Sequence, residues 1–99
     1  MRAPKQQISV VLYTRKTCGL CRGVDVMLRK HLKHDEVTVV DIDTDDALLK
    51  RYALRIPVVT INGEEVAEGQ ITDTDIREVI RAARAGAPKT RRSRWQFWA

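Results

Sequence analysis

The sequence predicts an α/β chain with the element order β-α-β-α-β-β-α. Three observations predict it. Ile8-Ser9-Val10-Val11-Leu12-Tyr13 is rich in β-branched and apolar residues, as a strand buried on both faces requires. Cys21, Val24, Leu28 and Leu32 recur at i, i+3, i+7 and i+11, the period of one helix face. Asn62-Gly63, set between two strand-like runs, is a two-residue hairpin turn.

The first strand leads into a loop, Thr14-Arg15-Lys16-Thr17, whose last hydroxyl is suited to cap a helix. The helix is expected from about Cys18 to Lys33, with Gly19 and Gly23 weakening its first turns. Val37-Thr38-Val39-Val40-Asp41-Ile42 reads as a second strand. A short polar connection precedes it, so a parallel βαβ unit follows. Asp43, Asp45 and Asp46 then gather before Ala47-Leu48-Leu49-Lys50-Arg51-Tyr52. Acids at the start and cations at the end suit a helix dipole, so a short second helix explains these acids better than a metal site.

Ile56 to Ile61 is the third strand. Pro57 lacks an N–H and therefore belongs at its beginning. Glu64-Glu65-Val66-Ala67 continues the hairpin and Gly69 ends it. Thr72 or Asp73 caps a last helix to about Ala85, with Ile76, Val79, Ile80 and Ala83 as its apolar stripe and Gly86 and Pro88 as its stop.

A chain of 99 residues and 11.3 kDa allows one domain with one small core, and 43% apolar residues suffice for it. The division read from the sequence is an N-terminal extension at 1–7, a domain at 8–86 and a basic aromatic tail at 87–99. The net charge of +5 belongs mostly to the tail: Lys89, Arg91, Arg92 and Arg94 lie there without an acid, whereas the first 88 residues hold 14 basic and 13 acidic residues. The basic balance therefore does not imply a nucleic-acid-binding domain. No apolar run has the length of a membrane span, and residues 1–7 carry no apolar stretch of a secretory leader. A cytoplasmic location is expected, where a cysteine pair is catalytic or metal-binding more often than structural.

Cys18 and Cys21 are the chain's two cysteines, set three apart where a strand passes into a helix. On a helix such residues share a face, about 5–6 Å apart at Cβ, and a small adjustment brings them to disulfide distance. The free N–H groups of the first turn, with Arg15, Lys16 and Arg22 nearby, favour a thiolate at Cys18. Cys18 is therefore the expected nucleophile and Cys21 the resolving thiol. A zinc set of Cys18, Cys21, His31 and His34 has the wrong spacing, with nine residues between Cys21 and His31 and two between the histidines. No metal is expected.

Over about residues 8 to 84 the chain resembles the glutaredoxin-like branch of the thioredoxin superfamily. Val11 to Cys21 resembles that family's first strand and redox motif. Val40-Asp41-Ile42-Asp43 resembles its second strand, and Arg55-Ile56-Pro57-Val58-Val59 its cis-proline segment. The resemblance implies a thioredoxin-like fold with a central four-stranded mixed sheet. It implies a cis Pro57 beside Cys18, an Ile56 backbone that pairs with the incoming thiol peptide, and an Arg15 that meets a glutathione carboxylate. It implies a small dithiol oxidoreductase acting on a glutathione or protein disulfide. Such a protein is a monomer with no tightly bound cofactor, and takes its electrons from glutathione or another low-molecular-weight thiol. Leu20 stands where glutaredoxins usually have an aromatic residue, and Glu68-Gly69-Gln70-Ile71-Thr72-Asp73 matches their Gly-Gly turn and acid only loosely. The identity of the thiol therefore stays open.

The tail holds Trp95, Phe97 and Trp98, three of the five aromatics. A loose terminus, or aromatics packed back on the domain, is the first expectation for it; docking on a partner protein comes next, with an anionic membrane surface also open, and nucleic-acid binding last. The alternative function is a redox-sensing binding module that holds a partner through this tail. A metal or iron–sulfur carrier bridging two chains through Cys18 is a third.

Overall fold

The computed structural model describes residues 7–86. The readings for 1–6 and for the tail 87–99 lie outside these residues. Strands β1 (Val10–Thr14), β2 (Val37–Asp41), β3 (Val58–Ile61) and β4 (Glu64–Glu68) alternate with helices α1 (Gly19–His31), α2 (Asp46–Tyr52) and α3 (Asp73–Arg84) in the expected order. The sheet order is β2-β1-β3-β4, with β1 parallel to β2 and antiparallel to β3, and β3 antiparallel to β4. The fold is α/β with a four-stranded mixed sheet.

Side chains alternate across the sheet with the strand period of two. Val10 and Leu12 of β1 join Val59 and Ile61 of β3 on one face. There they pack with Val24 and Leu28 of α1 and Ile76 and Ile80 of α3. On the other face Val58 joins Ile42 and Tyr52, with Tyr13, Leu48 and Leu49 packed against them. The larger core thus lies under α1 and α3, and the smaller one under α2.

The hairpin turns at Asn62 and Gly63, both at positive φ (51° and 88°), as a type I′ turn requires. Asn62 also fastens the hairpin to the entry of β1. Its N–H donates to the Ser9 carbonyl (2.8 Å), and the Ser9 N–H donates to its Oδ1 (3.0 Å). A bulge between Val59 and Thr60 shifts the β3–β4 register, so that Val58 lies opposite Glu68.

Several boundaries differ from expectation. α1 ends at His31 rather than Lys33, because Leu32 is extended (φ −127°, ψ 152°) where the chain turns back toward β2. The Leu32 side chain still packs against the larger core. Short 3₁₀ turns at His34–Glu36 and Ile42–Thr44 were not expected. The first of them buries Glu36, whose carboxylate takes a two-pronged ion pair from Arg84 at 2.8 and 3.0 Å and the Lys33 N–H at 2.8 Å. α3 is capped by Thr72 and followed by Gly86 at positive φ. Among the described residues no helix is long and apolar enough to cross a membrane.

Candidate functional site

β1 delivers the chain to one end of the sheet, with Thr14 opposite Asp41 of β2 and Tyr13 opposite Val58 of β3. A tight turn follows, closed by the Cys18 N–H donating to the Arg15 carbonyl at 3.0 Å. Cys18 is therefore still extended (φ −88°, ψ 105°) and stands as the N-cap of α1, and its Sγ accepts the Cys21 N–H at 3.2 Å. This corrects the expectation that Thr17 caps the helix. The turn delays the helix by one residue, so a sulfur occupies the place usually held by a cap oxygen.

Cys18 and Cys21 are joined as a disulfide, with Cα atoms 5.4 Å apart. Cys18 is half-buried and Cys21 is 3% exposed. Only the outer sulfur meets solvent appreciably. The first turn of α1 contains no acidic residue, and Lys16 and Arg22 are exposed on either side of Cys18 in sequence. The helix start and these cations all favour negative charge on the Cys18 sulfur.

Arg15 does not stand free. It forms a two-pronged pair with Asp43, at 2.9 and 3.2 Å, with both side chains about two-fifths exposed. A pair so exposed contributes on the order of 0–1 kcal/mol and opens readily. The Ile56–Pro57 peptide bond is cis, Pro57 is fully buried, and its carbonyl accepts the Gly69 N–H at 2.9 Å. The β3 register continues from Val58 back to Pro57. Pro57, Ile56, Gly69 and the loop bearing Cys18 therefore all lie at one end of the sheet.

The histidines lie elsewhere. His31 closes the far end of α1, with Nε2 3.0 Å from Asp73 Oδ1, and His34 opens the following 3₁₀ turn. The acids before α2 act as caps: Asp45 Oδ1 accepts from the N–H of Ala47 and Leu48, and Asp41 Oδ1 from the N–H of Asp43.

Two participants at this end escaped the sequence reading. One is Asp43, the partner of Arg15. The other is Arg55, two residues before Pro57, which donates to Glu68 from Nη2 (2.7 Å) and Nε (3.2 Å) and also meets Glu65. Counting back across the Asn62-Gly63 turn would have brought Arg55 near the β4 glutamates.

A family model described as glutaredoxin-like domain (DUF836) matches residues 9–81. No curated protein sequence matches the chain. Among solved structures, the chain is similar to protein Ne2328 of Nitrosomonas europaea at 24% identity and a TM-score of 0.60, covering 81% of this chain and 98% of that one. A protein of unknown function from Staphylococcus aureus is 21% identical with a TM-score of 0.57, over 84% of this chain and 95% of its own. A mutant thioredoxin of Halobacterium salinarum is 19% identical with a TM-score of 0.57, over 79% and 75%. At these identities the likeness is one of fold, and the fold is that of thioredoxin.

Proposed function

The chain belongs to the glutaredoxin-like domain family, and from that premise we propose that it is a small dithiol oxidoreductase, with Cys18 as nucleophile and Cys21 as resolving thiol. One observation carries the reading. The outer sulfur sits at a helix N-terminus and accepts a backbone N–H, within bonding reach of an inner, buried sulfur. The pair can therefore open and close while the strands and helices stay in place.

In the reduced protein the Cys18 thiolate attacks one sulfur of a substrate disulfide. A Cys18–substrate disulfide forms, the substrate S–S bond breaks, and the first substrate thiolate leaves and takes a proton from solvent. Cys21, deprotonated as it attacks, then bonds to Cys18 Sγ and expels the second substrate thiolate, which is protonated in turn. The substrate gains two electrons and two protons, and the protein leaves as the Cys18–Cys21 disulfide. Two equivalents of a low-molecular-weight thiol, such as glutathione, return it to the dithiol and leave as their own disulfide. In this reading Arg15 attracts a substrate carboxylate once its exposed pair with Asp43 opens, and the Ile56 backbone before Pro57 receives the substrate chain.

The test is disulfide reduction with a thiol donor. Cys18→Ser abolishes turnover, and Cys21→Ser accumulates a mixed disulfide visible as an added mass on the protein. Turnover by Cys18→Ser at the wild-type rate would refute the reading.

A further inference from the structure

Arg15 is tied to the disulfide through the backbone, because the Cys18 N–H donates to its carbonyl at 3.0 Å. A guanidinium so placed ordinarily draws a carboxylate toward the sulfurs. Here the chain supplies that carboxylate itself. Asp43 Oδ1 lies 2.9 Å from Arg15 Nη2, and Asp43 Oδ2 accepts from Arg15 Nε at 3.2 Å. The two contacts fill one edge of the guanidinium fork, the edge a substrate carboxylate would need for a bidentate pair.

The backbone of Asp43 is fixed for this contact. It lies in the 3₁₀ turn Ile42–Thr44, which is anchored by the fully buried Ile42. Asp41 fastens the same turn: its Oδ1 accepts the Asp43 N–H at 2.9 Å, and its carbonyl accepts the Thr44 hydroxyl at 2.7 Å. Asp41 lies opposite Thr14 in the β1–β2 register, so this turn and the Cys18 loop leave the sheet at the same end. Asp41 and Asp45 direct their carboxylates to backbone N–H groups, whereas Asp43 gives both of its oxygens to Arg15. Capping therefore accounts for its neighbours and not for Asp43. An acid held by its backbone also loses less freedom on pairing than one on a mobile segment.

We propose that Asp43 is a positioning residue that sets substrate specificity: by holding the Arg15 guanidinium in a pair without net charge, it turns the protein away from disulfides that carry a carboxylate beside the S–S bond and toward those with neutral flanks. A carboxylate arriving at Cys18 either displaces Asp43 or meets a pair that is already neutral, and in both cases gains less than it would from a free Arg15. A neutral disulfide has nothing to displace. The inference rests on the dithiol reading above.

The experiment measures the second-order rate constant of the pre-reduced full chain with two disulfides, the anionic dithiodipropionate and the neutral hydroxyethyl disulfide, so that no charged donor thiol enters. Asp43→Asn raises the ratio of the first constant to the second by roughly three- to fivefold, the scale of an exposed ion pair. The gain shrinks as salt is raised toward about 1 M, which a structural effect of the substitution would not do. Asp43 is exposed and makes no core contact, so its variant folds. The same substitution is then made in Arg15→Met. It adds the same unit of charge but frees no guanidinium, and the ratio stays nearly constant. An unchanged ratio in Asp43→Asn, or an equal rise in the Arg15→Met background, overturns the proposal and leaves the dithiol reading standing. A wild-type protein that reduces neither disulfide overturns both.

Discussion

Glu36 shows what a single buried charge requires. Its residue is 3% exposed, and three kinds of donor meet its carboxylate: the Arg84 guanidinium, the Lys33 N–H and, at 3.5 Å, the Ile8 N–H. The Arg84 hydrogen bonds outweigh the cost of burial and hold the carboxyl down at about 2, against an ordinary 4.5. Removing the cation leaves the anion buried and uncompensated. Arg84→Met should therefore lower the unfolding free energy in urea by about 2–4 kcal/mol. The pH dependence follows from the depressed value. The stabilisation from Glu36 is complete above about 4.5 and is lost as pH falls from there through about 2. At about 1.4 kcal/mol per pKa unit, its full loss is on the order of 3 kcal/mol. Urea midpoints compared at pH 5 and pH 2.5 should show a smaller drop in Glu36→Gln than in the wild type.

At the scale of elements, caps and turns decide where each segment begins. Thr72 Oγ1 accepts the Asp75 N–H at 3.1 Å, and Asp75 Oδ2 accepts the Thr72 N–H at 3.0 Å, a reciprocal capping box at the start of α3. Thr72→Ala is expected to cost about 1 kcal/mol in chemical denaturation, with disulfide turnover at the wild-type level because the pair on α1 is untouched. Gly63→Ala forces a side chain into φ 88° and should cost a similar amount, about 1–2 kcal/mol. Both positions were legible in the sequence, because a cap and an Asn-Gly turn are local chemistry. The helix start at Cys18 was not. By composition Thr17 is the preferred cap and a cysteine is not; that Cys18 takes the place depends on how the Arg15–Cys18 turn closes. The long-range ion pairs were equally hidden. Arg15 and Asp43 are 28 residues apart and Glu36 and Arg84 are 48 apart, so only the tertiary packing tells which cation meets which acid. Leu32 was placed correctly toward the core but for a reason that fails, since it packs there from an extended segment beyond the helix.

For the molecule as a whole, the two faces of the sheet are unequally supported. Among the described residues, the face under α1 and α3 gathers eleven buried residues, and the face under the seven-residue α2 gathers three. Fewer buried contacts mean a smaller free energy of local opening. Amide hydrogen exchange should therefore be slowest in β1 and β3, the central strands, and distinctly faster in α2. Equal protection in α2 and β1 would contradict this account. The cysteine pair rides on the better supported face, because Cys21 and Val24 belong to the buried side of α1. The redox loop is thus anchored to the stable half of the domain, while the less stable half carries the turn before Pro57.

The strand order has one more consequence, and it concerns crowding rather than catalysis. β2 and β4 are the two edges of the sheet, and each presents backbone groups that another chain could extend. β4 carries Glu64 together with Glu65 and Glu68, which are paired with Arg51 and Arg55, so this edge is lined with charged side chains that discourage strand addition. β2 reads Val37-Thr38-Val39-Val40 before its first charge at Asp41, and Val39 is 42% exposed. The molecule therefore has a guarded flank and an adhesive one. Self-association in concentrated solution is accordingly expected to begin along β2, and Val39→Lys should reduce it in sedimentation velocity.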